Sequence, residues 1–190
     1  MALVWCRVVS VVSQCVHKET TAREISSLYT YPMSYSIKTK TARKIEDLVD
    51  SVRRHAVLYS GDLKGISYHG APLLSLSLPQ FFDYVKKSGR YEMDDTEKQV
   101  VARPAYIVAL SGAAGRDCKK CAVMMGAYFE QKKIPWRLVT ISTRNDKRHH
   151  HIFTQFFDGE HWKICDATFS KNRIAEPQKV TDYIYYEVKK

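Results

Sequence analysis

The chain has 190 residues, 45% of them hydrophobic, and carries 30 Lys and Arg against 20 Asp and Glu, a net charge of +10 at pH 7. This length and apolar share suit one globular domain with a real core and exclude a disordered chain. Five cysteines, an odd number without the spacing of a small disulfide scaffold, point to reduced thiols and a cytoplasmic setting. Lys and Arg are spread along the chain, which reads as a solvated basic surface suited to an acidic or polyanionic partner rather than as a nucleic-acid groove.

Residues 1–16 are apolar, but Arg7 breaks the run, no clear small-residue cleavage site follows, and the stretch is too short to cross a membrane. Val8, Val9, Val11 and Val12 favour a strand or a swapped arm there. Residues 17–40 are polar with scattered tyrosines and read as loops or short edge strands. Across 41–56, Ile45, Leu48, Val49, Val52 and Ala56 make one helical stripe, with Arg43, Lys44, Glu46, Asp47, Arg53 and Arg54 facing water. Turn residues follow at Ser60-Gly61-Asp62, Lys64-Gly65 and His69-Gly70-Ala71-Pro72. The alternation of leucine with serine over 73–78 suits a short strand or a helix approach. Residues 79–87 predict a short helix with Phe81, Phe82 and Val85 inward and Gly89 as its stop. Residues 92–97 form an acidic patch, and Pro104 separates Val100-Val101 from an apolar segment of undecided type at 106–110.

The chemistry concentrates between residues 116 and 166. Asp117 is a good N-cap, so Cys118 falls on the first turn of a helix whose apolar positions, Cys118, Cys121, Ala122, Met125 and Phe129, share one face. A thiol at that end meets the positive pole of the helix and unpaired N–H groups, both of which favour the thiolate. Residues 134–141 predict a strand with Pro135 near its start, and 143–148 a basic loop. Asp158-Gly159 then signals a hairpin. With a two-residue turn, Phe157 faces Glu160, Gln155 faces Trp162, Phe153 faces Ile164 and His151 faces Asp166. Cβ atoms of such pairs lie roughly 4.5–5.5 Å apart. In this register His149 faces Thr168 instead, and Cys165 points away from His151. Trp162 either shields the pair or fills the core, and His161 sits exposed by the turn. A basic loop (170–179) and a final aromatic strand (183–188) complete the chain.

Arg116-Asp117-Cys118 before an amphipathic helix, then His151, an aromatic two residues on, Asp158-Gly159, Trp162 and Asp166-Ala167-Thr168, resembles the transglutaminase-like superfamily of papain-type folds. The likeness covers roughly residues 99–170, a little over a third of the chain; its specific part is the fifteen-residue step from His151 to Asp166 with Trp162 four residues before the aspartate. It implies an α+β papain-like fold, a single domain with 1–98 as a helical and loop part and 99–190 as catalytic core, and a Cys118–His151–Asp166 triad for acyl transfer. The substrate would be a protein or peptide amide, with no cofactor and no metal. Members include transglutaminases, proteases, amidases and inactive relatives; compact phage-encoded relatives keep a virion-associated or assembly role in view. Departures from the pattern are the second thiol at Cys121 and the run His149-His150-His151. The Cys118 N–H is one natural oxyanion donor, and Gln99, upstream in the same stretch, is the candidate for the other. Cys118-Lys119-Lys120-Cys121 also has redox-dithiol spacing, and Cys118, Cys121, Cys165 and a histidine could form a zinc set. Both fit less well than the triad, the first for want of a βαβ pattern and the second because Cys165 faces away.

Overall fold

The computed structural model describes residues 34–38, 45–94, 98–109, 115–142, 149–176 and 182–187. Over these the chain runs β1 (Ser34–Lys38), α1 (Ile45–Leu58), a 3-10 helix (Ser60–Gly65), β2 (Ser67–Tyr68), β3 (Ala71–Pro72), a short 3-10 turn (Leu73–Ser75) and α2 (Leu78–Lys87). It continues through β4 (Lys98–Ala102), α3 (Pro104–Ala109), α4 (Cys118–Lys132), β5 (Trp136–Ser142), β6 (His151–Phe157), β7 (Trp162–Cys165) and β8 (Asp182–Glu187). The described residues fall within one compact unit, Ser34–Lys190. The valine-rich arm expected at 1–16 lies outside them, and of 17–40 only β1 is described.

This is a mixed α+β arrangement whose sheets are antiparallel. Four strands pair in the order β7-β6-β5-β8, and β1 pairs with β4 in a separate ribbon. α4 is central. Residues from Lys119 to Phe129 are buried on nearly every side of it, as expected of a helix packed between layers rather than lying on a surface. Val49, Val52 and Ala56 of α1, Phe81, Phe82 and Val85 of α2, and Trp136, Leu138 and Ile152 of the sheet share its core. Each fully buried side chain of this size contributes roughly 1.5–3 kcal/mol. Gly126 marks the tightest contact. A Cβ there would sit 2.6 Å from the Trp136 ring and 2.9 Å from the Ala56 Cβ, so only glycine lets α1 and β5 press on the helix this closely.

The helices follow their sequence signals. α2 starts at Ser77, which with Gln80 forms a capping box, and Pro79 takes an early helical position. The undecided segment after Pro104 is helical, and the leucine–serine stretch is a 3-10 turn leading into α2. The hairpin register differs from expectation. Phe157 pairs with Trp162, Gln155 with Ile164 and Thr154 with Cys165, so each expected pairing is displaced by two residues. The cause is local. The Asp158 carboxylate accepts the Glu160 N–H (3.0 Å) and the His161 N–H (2.8 Å), and the Asp158 N–H donates to the His161 carbonyl (3.1 Å). These bonds close the loop between Asp158 and His161 rather than around Gly159 alone. A slip of two keeps every side chain on its face, whereas a slip of one would have inverted them. Phe153 and Ile164 accordingly still pack together.

Candidate active site

Cys118 opens α4, as the Asp117 signal implied. The Asp117 side chain accepts the Lys120 N–H at 3.0 Å, and the Asp117 carbonyl accepts the Cys121 N–H at 3.1 Å. The Cys118 N–H sits in the first turn, beyond reach of any intrahelical carbonyl. Cys118 is partly exposed, whereas Cys121 and Cys165 are buried.

His151 opens β6 and brings the site together. Its Nε2 donates to Asp166 Oδ2 at 2.8 Å, and the neighbouring Cys118 also favours the protonated ring. Burial opposes charge on this imidazole, but the hydrogen bonds to Asp166 and Cys118, reinforced by their negative charge, outweigh it and push His151 up to about 10. Asp166 is fully buried and held from several sides. Its Oδ1 accepts the Thr168 N–H (3.0 Å), and Asn172 Nδ2 donates to its Oδ2 (2.9 Å). The three expected site residues therefore meet in one place, in the order thiol, imidazole, carboxylate.

The other candidates lie elsewhere. His149 bonds through Nδ1 to Thr140 Oγ1 (2.8 Å) and faces Asp182 at 3.4 Å. His161 is exposed on the loop. Trp162 neither covers the triad nor fills the core: half-buried, it packs on Phe157 and on the Arg137 guanidinium (4.3 Å). Burial pushes the Cys121 thiol up to about 12, with the Arg116 charge only partly offsetting it, so a protonated, enclosed Cys121 is a poor partner for dithiol chemistry. Cys165 belongs to the core around α4. Among the described residues no cluster of His, Cys, Asp and Glu is arranged to hold a metal ion, and no helix is long and apolar enough to cross a membrane. Gln99 lies on β4 opposite Ile37. Its neighbour Val100 donates its N–H to Asp94 Oδ2 (2.6 Å), and Asp94 faces Lys119 and Lys120 at 3.4 Å each, which ties the strand to the start of α4.

Lys119, Tyr91, Phe169 and Asn172 build the site without a distinct sequence signal, and Arg116, noted in the sequence only as part of a motif, proves to be structural. Lys119 is buried, with Nζ 2.6 Å from Asp117 Oδ2; burial works against its charge, but Asp117, Cys118 and Asp94 hold it protonated. Arg116 is also buried, and its guanidinium donates to the carbonyls of Val85 (2.6 Å), Gly89 (2.9 Å) and Ala167 (3.0 Å), to that of Lys86, and to Cys121 Sγ (3.4 Å). Tyr91 bridges to Arg116 through the backbone and packs its ring, tilted by 45°, 5.2 Å from that of Phe169, whose ring lies 5.7 Å from that of His151. Burial pushes the Tyr91 phenol up to about 12, with the charges of Cys118, Asp117, Cys121 and Asp166 adding, so it stays neutral beside the site. Asn172 could have been suspected only as a polar residue in a basic loop. Compared with protein-family models, curated proteins and solved structures, the chain has no match.

Proposed function

We propose that the chain is a thiol-dependent acyl-transfer enzyme acting on an amide bond, on a papain- or transglutaminase-like fold. The observation that carries this reading is His151, hydrogen-bonded to the buried Asp166 at 2.8 Å and held protonated by that carboxylate and by Cys118 at a helix start. Cys118 and His151 form a thiolate–imidazolium pair, and the sulfur attacks the substrate carbonyl. The C–N bond breaks as His151 gives its proton to the leaving amine. Water, deprotonated by His151, then cleaves the thioester to a carboxylic acid and restores the thiol; a lysine amine in place of water would give a crosslink. Hydrolysis is favoured because the sequence has no marked calcium site or amine channel. Asp166 steadies the imidazolium, as in other nucleophile–base–carboxylate sets. The Cys118 N–H supplies one oxyanion donor and Gln99 is proposed for the second.

The test is the alkylation rate of each cysteine against pH, read by mass spectrometry in the native protein and in His151→Ala. Selective modification of Cys118 that persists below neutral pH and disappears in the variant is expected. A Cys118 that reacts no faster than an unperturbed thiol, in both proteins, would remove the reading.

A second reading, a non-catalytic interaction module on the same fold such as an assembly component, draws on Tyr183, Ile184 and Tyr185, which are 40–47% exposed on β8, and on the net charge of +10. Salt-dependent binding to an acidic partner by protein with an inert Cys118 would favour it.

A further inference from the structure

A cleft of about 370 Å³ opens beside the triad, lined by Gly89, Tyr91, Arg116, Thr168, Phe169, Ser170 and Lys171. Its aromatic walls are continuous with the site: Tyr91 packs tilted against Phe169, and Phe169 lies against His151. Its charge is one-sided. Among the described residues no carboxylate lines it, and Lys171, which does, is exposed. Arg116, at its base, is a buried cation whose hydrogen-bond partners are four backbone carbonyls and a thiol, all uncharged. Nearby carboxylates have cations or donors of their own: Asp166 on His151, Asp117 on Lys119 at 2.6 Å, and Asp83 near Lys86 at 3.8 Å. Asp117 and Asp166 act on Tyr91 and Cys121 from behind this wall, but Arg116 is hydrogen-bonded to neither, and with Lys171 it gives the lining two cations whose field a low-dielectric wall carries into the cleft.

We infer that this cleft is the acyl-donor subsite and that it takes a peptide carrying a carboxylate side chain next to the reacting carbonyl. The inference rests on the acyl-transfer reading above. The aromatic walls cover the side chain's methylenes, while Lys171 meets its carboxylate and the Arg116 charge favours it from below. Lys171 is therefore a specificity residue and not part of the catalytic set.

Two small alkylating agents of equal reach test it, iodoacetate as the anionic probe and iodoacetamide as the neutral one. Modification of Cys118 is timed by peptide mapping in the native chain, in Lys171→Glu, and in Lys64→Glu, a charge reversal of equal size on the 3-10 helix. The expected result is an iodoacetate-to-iodoacetamide rate ratio above that of free cysteine, falling about fivefold or more in Lys171→Glu and holding steady in Lys64→Glu. Added salt should shrink the difference. If Cys118 reacts readily with iodoacetamide but the ratio is indifferent to Lys171, the anionic subsite is wrong and the enzyme reading stands. A ratio that drops equally in both variants also overturns it, since only the overall positive charge would be acting. If Cys118 is inert to both agents, the acyl-transfer reading fails and takes the subsite with it.

Discussion

His151 and Asp166 bond at 2.8 Å although the β6–β7 ladder does not set them opposite each other. Continued past Cys165, that ladder would bring Thr168 opposite His151, and Asp166 is its diagonal neighbour, two residues back. Diagonal neighbours on one face remain within reach of a long side chain. The Thr168 N–H and Asn172 then hold the carboxylate where the ring can meet it. Asp166→Asn should keep the fold but lower acyl-transfer rate by about 10⁴-fold, the loss seen when the orienting carboxylate of a triad becomes an amide. Histidine NMR on the same variant should show His151 losing its proton at lower pH than in the native chain; an unchanged titration would mean that Asp166 does not hold that proton.

The same proton stabilises the fold. His151 titrates near 10 in the native state against an ordinary 6.5, so its contribution is complete below pH 6.5, fades as pH climbs and is gone once it passes about 10. The urea midpoint of the native chain should fall across this window by the equivalent of a few kcal/mol. His151→Ala, which has no such proton to lose, should show a much flatter profile over the same range.

Buried and surface ion pairs should behave very differently here. Lys119 and Asp117 are both almost wholly enclosed, whereas Arg53 and Asp50 pair at 2.7 Å in the open on α1. Lys119→Met strands the Asp117 carboxylate at the head of α4 and should cost about 3–5 kcal/mol. Arg53→Met should cost under about 1 kcal/mol. Chemical denaturation of both variants gives the comparison, and equal costs would contradict the enclosure of Lys119.

Gly126→Ala would ordinarily strengthen a helix by about 1 kcal/mol. At this position the added methyl meets a ring and a neighbouring Cβ at under 3 Å, and neither is the end of a flexible chain. Overpacking of this kind typically costs about 1–3 kcal/mol, so the balance should turn against the variant. A lower thermal midpoint is expected, and a midpoint at or above that of the native chain would contradict the close approach of Trp136 and Ala56.

The site was legible where the signal was local and chemical. Asp117 as an N-cap fixed the start of α4, and the period-two alternation fixed the shared side of His151 and Asp166 even though the loop length was misjudged. Asp158-Gly159 announces a turn, but its length depended on which N–H groups the Asp158 carboxylate would accept, something neighbouring residues alone do not specify. The same limit hid Tyr91, Asn172 and the Lys119 pair. Tyr91 matters through partners far along the chain, while Lys119 and Asn172 depend on how nearby carboxylates are buried, and a lone tyrosine, asparagine or lysine has no pattern that points to it. Trp162 shows the reverse error, a residue given weight by its motif that packs instead on Arg137 and Phe157.

Arg116 joins segments that are strangers in sequence: the end of α2 at Val85 to Gly89, the first turn of α4, and Ala167 beyond the hairpin. None of these carbonyls can be released singly without leaving the guanidinium short of partners. The region around the cleft should consequently open as one cooperative unit, and backbone amides at the C-terminal end of α2 and around Ala167 should exchange with solvent at matched rates even though some eighty residues of chain lie between them.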